Sequence, residues 1–496
     1  MRKGLPRTSI TVFGSIIDKI ILTHLVVIGL PTVLYCYILS GGGTLLPMHI
    51  VIPVLYFVTS FVVIGEAAST ALTYGSKQSG SRALHKPTFG WIQRFLRTPR
   101  TYDSDRREVP ELQSGTPRSS LIVAAYLPNE QHIILSTLKY ILTTLNRPKD
   151  GLEVILAYNR PERLAIEDEL EKLADRYPDL KLLCVEDSRS KAENVNAALE
   201  VVTGEITGIL DADHYPNRDC FDRAWRWLES YRYSVVQGRN VIRNHDVNFM
   251  TSMIAVEFEC MYGVSHPAKS LLADTGMFCG SNGYWRTSVL KRVRFSSAML
   301  TEDIDATLRT LLGGYNIVHD PTILTTELAP VDLRSFWFQR KRWAQGWLEV
   351  TLRHQVSLLF STKLDHWQKL YWSLLLVYSA GFHFIALQMF PMMLSLSLTN
   401  ETTPEVAPEY FWVTTALTLL SGPIQTLVAW LVRTDLVHQP RRDYLLFCVF
   451  IPFYCVLKSV IAITAIYDHF AGNTEWVVTR RGLMESLPAG FLRKAG

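Results

Sequence analysis

Charge of one sign is in short supply in this 496-residue chain, where 50 Lys and Arg stand against 46 Asp and Glu. The resulting net charge of +4 is too small to argue for a nucleic-acid partner. Cysteine is scarce as well. The seven present (Cys36, Cys184, Cys220, Cys260, Cys279, Cys448 and Cys455) show no CxxC or other metal-ligand spacing. An odd, scattered set in apolar surroundings reads as reduced and packed, which excludes a disulfide scaffold and suits a cytosolic domain. No internal repeat or low-complexity segment is evident. No secretory signal peptide is read either: the first apolar run is long, lacks a cleavage site and is soon followed by another, so an anchor is expected there.

What the chain does have is hydrophobicity gathered at its two ends, near 18–72 and 366–470, around a middle that reads as an ordinary soluble domain. Ile20–Leu39 and Met48–Ala71 are long enough to span a bilayer, and Arg2, Lys3 and Arg7 favour a cytosolic start. Residues 76–118 are polar and basic; FGWIQRFLR within them reads either as an interfacial helix or as a solvated linker. Apolar runs return at 369–398, 409–432 and 444–468. Counting crossings puts the sequon Asn400-Glu401-Thr402 outside, as a glycosylation site must be, and Arg433, Arg441 and Arg442 inside. The last run contains Pro452 and Lys458, a charge that must face protein or water, so it is expected to bend back or lie along the interface with the tail cytosolic. The expected division is two transmembrane helices in 1–75, a basic linker in 76–118 and a catalytic domain in 119–335. Interfacial helices in 336–365, a membrane region in 366–470 and a tail in 471–496 follow.

From Ser120 the pattern is α/β. Short apolar runs at 120–127, 153–158, 180–185, 206–210 and 234–238 alternate with helical stretches at 130–145, 162–176, 191–202 and 219–231. Such alternation predicts a mainly parallel sheet covered on both faces, with ligands beyond the carboxyl ends of the strands.

Four stretches carry chemistry. Asp211 and Asp213 close an apolar strand around Ala212; a pair so placed can hold a divalent cation and with it a diphosphate, although acidic pairs also mark ordinary turns. Lys191, Asn194 and Asn196 open a helix after a strand, where free N–H groups and a lysine favour phosphate. Thr301-Glu302-Asp303 caps a helix, or supplies a carboxylate that deprotonates a hydroxyl. Gln339, Arg342 and Trp343 fall on one helical face, where Arg342 could neutralise a leaving diphosphate and Trp343 could offer a flat surface to a sugar ring. Arg340 and Lys341 are expected to point elsewhere, toward lipid headgroups.

The ordered set DAD (211–213), TED (301–303) and QRKRW (339–343) between membrane segments resembles the processive glycosyltransferase family 2, which includes cellulose, chitin and hyaluronan synthases. The resemblance covers 117–350 by motif. It implies a GT-A (Rossmann-like) domain between transmembrane helices and a nucleotide-sugar donor, usually a UDP-sugar. Mg²⁺ or Mn²⁺ and inverting single displacement onto a growing cell-surface or cell-wall polysaccharide at the plasma membrane follow, with the catalytic domain cytosolic. A non-processive lipid transferase of ceramide glucosyltransferase type is the alternative. By position, Asp211 and Asp213 match the metal and diphosphate residues, and Asp303, with Glu302 beside it, matches the general base. Gln339, Arg342 and Trp343 match the acceptor and diphosphate cluster, and Lys191 and Asn194 match the KAxN signal near the nucleotide. FCGSN (278–282) is similar to the acceptor-site loop, which makes Gly280 and Ser281 acceptor neighbours; VVQGR (235–239) also fits. Two departures stand out. AAYLPNE separates Tyr126 from Asn129 and Glu130, and the second strand ends in Tyr158-Asn159 where an acidic residue is usual. TEWVVTRRG resembles the Trp-x-Thr-Arg signal that closes over the nucleotide, with one extra residue, and assigns that role to Trp476, Thr479 and Arg480.

Overall fold

The computed structural model describes residues 9–74, 110–401, 408–433 and 439–473. Trp476, Thr479 and Arg480 lie outside the described residues.

An eight-stranded sheet in the order β3-β2-β1-β4-β7-β6-β8-β5 organises the middle of the chain. β1 (Ser119–Tyr126), β2 (Leu152–Asn159), β3 (Leu180–Cys184) and β4 (Ile206–Asp211) pair in parallel. Their apolar side chains are buried on both faces, as expected of parallel strands sandwiched between helices. The connecting helices are α3 (Ile134–Thr144), α4 (Ile166–Arg176) and α5 (Lys191–Ala198).

The sheet is parallel in four of its seven pairings, and the antiparallel ones all lie beyond β4. β7 (Gly283–Arg286) inserts antiparallel between β4 and β6 (Val235–Ile242), and β8 (Ile317–Glu327) pairs with β6 in parallel but with β5 (Tyr215–Pro216) antiparallel. An antiparallel strand needs no crossover helix, so the FCGSN turn can feed β7 directly into the middle of the sheet. The result is a mixed, Rossmann-like GT-A domain flanked by apolar helices.

Among the described residues, four helices are long and apolar enough to cross a membrane: α1 (Ile17–Ser40), α2 (Leu46–Tyr74), α12 (His366–Thr399) and α14 (Arg441–Phe470). The shorter apolar stretch Thr415–Leu431 lies in α13 (Pro408–Leu431). Leu25, Leu30, Val33, Tyr37, Phe61, Leu398 and Phe453 are largely exposed, as side chains meeting hydrocarbon would be. Asn400 ends α12, exposed and in the left-handed conformation.

Charges join these helices to the sheet domain. α7 (Phe249–Cys260), opened by an Asn248–Thr251 capping box, carries Glu257, which binds both Arg340 and Lys458. Arg340 is thus buried against a carboxylate and does not reach toward lipid headgroups, correcting the expectation above. Lys341 pairs with Asp468, which also holds Lys19 at 2.7 Å. A buried carboxylate is a far stronger draw for these cations than a hydrated headgroup surface.

α14 and the residues just before it are tied to the domain side at three points. Gln439, just before it, donates to the Ser252 carbonyl at 2.7 Å; Lys458, in its second half, reaches Glu257; Asp468, near its end, reaches Lys341 on α11 (Leu333–Phe360).

Candidate active site

At the carboxyl ends of β1 and β4 a cavity of about 750 Å³ opens, and it continues to Leu375, Tyr378 and Ser379 on the apolar helix α12. Tyr126, Asn129 and Glu130 line it from the turn after β1, and Lys191 and Asn194 from the start of α5. The others are Asp211, Gly280, Ser281, Glu302, Asp303, Gln339, Arg342 and Trp343, so residues 200 positions apart in sequence share one space.

Each is placed by a local device. Ser190 caps α5, accepting from the Glu193 N–H, and so presents Lys191 at the cavity edge. Lys191 Nζ bonds the Asp211 carboxylate and donates to the Gly280 carbonyl at 2.7 Å. Burial alone would pull the lysine down, but Asp211, with Glu302 and Asp303, outweighs it and keeps the ammonium above its ordinary range. Burial likewise works to raise Asp211, and Lys191 and His214 overcome it, so the carboxylate is held ionised.

The FCGSN turn is fastened on two sides. Gln237, within VVQGR, accepts from the Cys279 N–H at 2.9 Å and donates to the Ser281 carbonyl at 2.9 Å. Thr307, on α10 (Glu302–Leu312), accepts from the Phe278 N–H at 2.9 Å. Gly280 has φ +84°, and a Cβ there would stand 3.1 Å from Asp303 Oδ2. Only glycine allows the turn and that carboxylate to approach so closely.

Asp303 itself accepts from the Ile304 N–H at 2.9 Å. Burial first, and the neighbouring Glu302 second, push its pKa up to about 7. A carboxylate tuned to neutrality and facing a cavity suits proton abstraction. α11 lies directly against the start of this helix: a Cβ at Gly346 would run into the Thr301 side chain. That contact brings Arg342 and Trp343 to the same cavity as Asp303, with Arg342 Nη1 donating to the Leu300 carbonyl at 3.2 Å.

Asp213 is placed differently. It is fully buried under the cavity floor; Oδ2 accepts from the Leu328 N–H at 3.0 Å and Oδ1 meets His214 Nδ1 at 3.1 Å. His214 bridges onward to Glu327 at 2.8 Å, and these carboxylates overcome burial to raise its pKa to about 9. Among the described residues no three His, Cys, Asp or Glu gather as a metal cluster. As arranged, only Asp211 of the pair offers an oxygen to the cavity, and it carries Lys191; this is not a two-carboxylate cradle for a cation.

At the end of β2, Asn159 donates to the Ser188 carbonyl and accepts from Asn194 Nδ2, both at 2.9 Å. An amide therefore stands where an acidic residue was expected, closing the cavity by neutral hydrogen bonds. Sequence reading did not find the bracing by Gln237, Thr307 and Glu327. VVQGR was the only signal for any of them.

Residues 206–432 match the family described as Glycosyl transferase family group 2. That stretch holds the DAD, TED and QRKRW residues, so this part of the chain is similar to a family 2 glycosyltransferase domain. A probable glycosyltransferase, YdaM, of Bacillus subtilis (strain 168) is 24% identical over 263 residues, covering 51% of this chain and 61% of that protein. The poly-beta-1,6-N-acetyl-D-glucosamine synthase of Staphylococcus epidermidis is 28% identical over 248 residues, covering 50% of this chain and 58% of that one. The chain thus spans somewhat over half the length of these relatives. Its fold is shared by a mannosyltransferase of Pyrobaculum calidifontis solved with GDP-Man and Mn²⁺, with a TM-score of 0.50 and 22% identity. That match covers 82% of this chain and 99% of the archaeal one.

Proposed function

We propose that the chain is a membrane-bound, inverting glycosyltransferase that moves a sugar from a nucleotide donor, a UDP-sugar by preference, onto a growing polysaccharide. The observation that carries this reading is the single cavity joining Asp211, Asp303 and Trp343 and running on to an apolar helix.

In this reading the nucleotide lies over Tyr126, Glu130 and Asn194, and the diphosphate faces Lys191. The acceptor hydroxyl stands beside Asp303, its ring against Trp343. As the acceptor oxygen bonds to the anomeric carbon, the bond from that carbon to the diphosphate oxygen breaks on the opposite face, which inverts the centre. The hydroxyl proton passes to Asp303, and the charge left on the diphosphate meets Lys191 and Arg342. Gly280 and Ser281 border the acceptor. No step here passes through a cation, because the residues do not form its cradle.

The bilayer placement extends the same reading. With both ends of α14 against the domain, this helix lies along the cytosolic border. The Asn400 sequon then faces outward, and the cavity's far end at Tyr378 and Ser379 becomes the exit for product.

The test is to incubate membranes holding the full chain with labelled nucleotide sugars, beginning with UDP-N-acetylglucosamine, and to size the product. A polymer supports the reading, a single-sugar lipid replaces it with a lipid transferase, and incorporation unchanged in Asp303→Asn removes the catalytic assignment.

A further inference from the structure

Glu257 lies outside the cavity lining, yet its carboxylate is a junction between three elements. It is 5% exposed, on α7. Oε2 accepts from Arg340 Nη2 at 2.5 Å and from Tyr454 Oη at 2.7 Å, while Oε1 accepts from Lys458 Nζ at 2.8 Å. Arg340 belongs to α11, and Tyr454 and Lys458 to α14.

Arg340 has a second face. Its guanidinium carbon lies 4.4 Å from the Trp343 ring centroid and 5.1 Å from that of Phe336. A guanidinium stacked on an aromatic fixes the plane of that ring, more firmly when water is excluded. Trp343 is the one of these rings that lines the cavity. The chain of contact therefore runs from α14 through Glu257 to Arg340, and from Arg340 to the surface on which an acceptor sugar would rest.

The charges explain why a carboxylate is needed. Arg340, itself buried, and Lys458, partly exposed, converge on this one buried carboxylate, and without an anion two cations would face each other. Glutamine in its place keeps the shape and the hydrogen-bonding atoms but leaves two cations facing a neutral amide. Arg340 must then move, and with it the support of Trp343.

We infer that Glu257 is a positioning residue: through Arg340 it sets the orientation of Trp343, and through Lys458 it ties that orientation to α14. Its effect on acceptor handling rests on the sugar-transfer reading; its effect on the ring does not.

Two measurements on the detergent-purified full chain separate these. With 5-fluorotryptophan incorporated, the ¹⁹F resonance lost in Trp343→Phe is expected to shift in Glu257→Gln and to return in Glu257→Asp. A resonance that stays in place in folded Glu257→Gln overturns the inference whether or not the chain transfers sugar. With labelled UDP-N-acetylglucosamine, Glu257→Gln is expected to shorten mean product length at least fivefold while donor KM and donor hydrolysis stay within twofold. Product length and hydrolysis falling together would mean a general structural role and overturn it. Should Glu257→Gln fail to fold, the apolar replacement Glu257→Met with Arg340→Met and Lys458→Met removes the buried charges together. The resonance of Trp343 is expected to be displaced in that variant too, and an undisplaced one overturns the inference.

Discussion

The two ends of the cavity are built on different principles. At the nucleotide end the lining groups sit on turns that leave a rigid parallel sheet, and they are aimed by hydrogen bonds such as Asn194 to Asn159 and Ser190 to the Glu193 N–H. At the membrane end they sit on long helices whose relative position is set by ion pairs to two buried carboxylates, Glu257 with Arg340 and Lys458 and Asp468 with Lys19 and Lys341. A sheet positions groups through a backbone ladder that side-chain changes barely disturb. Helices against lipid lack that ladder, and in a water-poor setting paired charges hold them in register. The nucleotide end should therefore tolerate changes in its surroundings, and the membrane end should not.

Asp303 stands where the two ends meet, and changing it has the largest expected effect. Asp303→Asn should lower kcat by about 10²–10⁴, the range for a general base, while donor binding by titration calorimetry is preserved. Lost donor binding would place Asp303 in the nucleotide end instead. Next, Arg342→Ala should lower kcat by roughly 10–100-fold with little change in donor KM, since its charge acts on the departing diphosphate. An effect confined to KM would make it a ground-state contact.

The pH profile sharpens the boundary. With the Asp303 pKa pushed up to about 7, kcat should fall about tenfold per unit as pH drops below 7 and level off above it. Because the folded state holds this proton more tightly than the unfolded chain, its protonation stabilises the protein at low pH. That contribution is lost as pH rises toward 7. Glu302→Gln removes the like charge, so the acid limb should move to lower pH; an unmoved limb would show that burial acts alone. The smallest effect tests packing at the membrane end. Gly346→Ala drives a methyl into Thr301 and should destabilise by about 1–3 kcal/mol in thermal unfolding, the usual consequence of overpacking. The same substitution at Gly65, on α2 with open space around its Cβ position, should leave the unfolding temperature near that of the parent.

Much of the first half of the domain was legible in the chain. β1 to β4 lie within a residue or two of the apolar runs read as strands, because a strand buried on both faces leaves an unbroken hydrophobic signature. The second half was less so. β7 is four residues long and β8 follows a Gly-Gly turn within a stretch read for its motifs, and neither has a period of its own. The motif residues could be picked out by type and spacing, yet their company could not. Asp211 and Asp213 look equivalent in DAD, but β4 ends at Asp211 and the turn after it carries Asp213 to different surroundings, one to the cavity and one to the Leu328 N–H and His214. Arg340 reads as a surface cation beside Arg342, and the helix turns it into the protein interior.

The order of residues by itself determined an α/β domain between apolar helices, the acidic strand end, the capped TED helix and the Gln-x-x-Arg-Trp face. These depend on local periodicity and on neighbours within a few positions. Only the tertiary structure decided that Gln237 brackets the FCGSN turn, that Gly346 admits Thr301 and that Glu257 gathers two cations from distant helices. Such contacts are made by residues with no relation along the chain, and their energies come from burial, which a linear pattern does not contain.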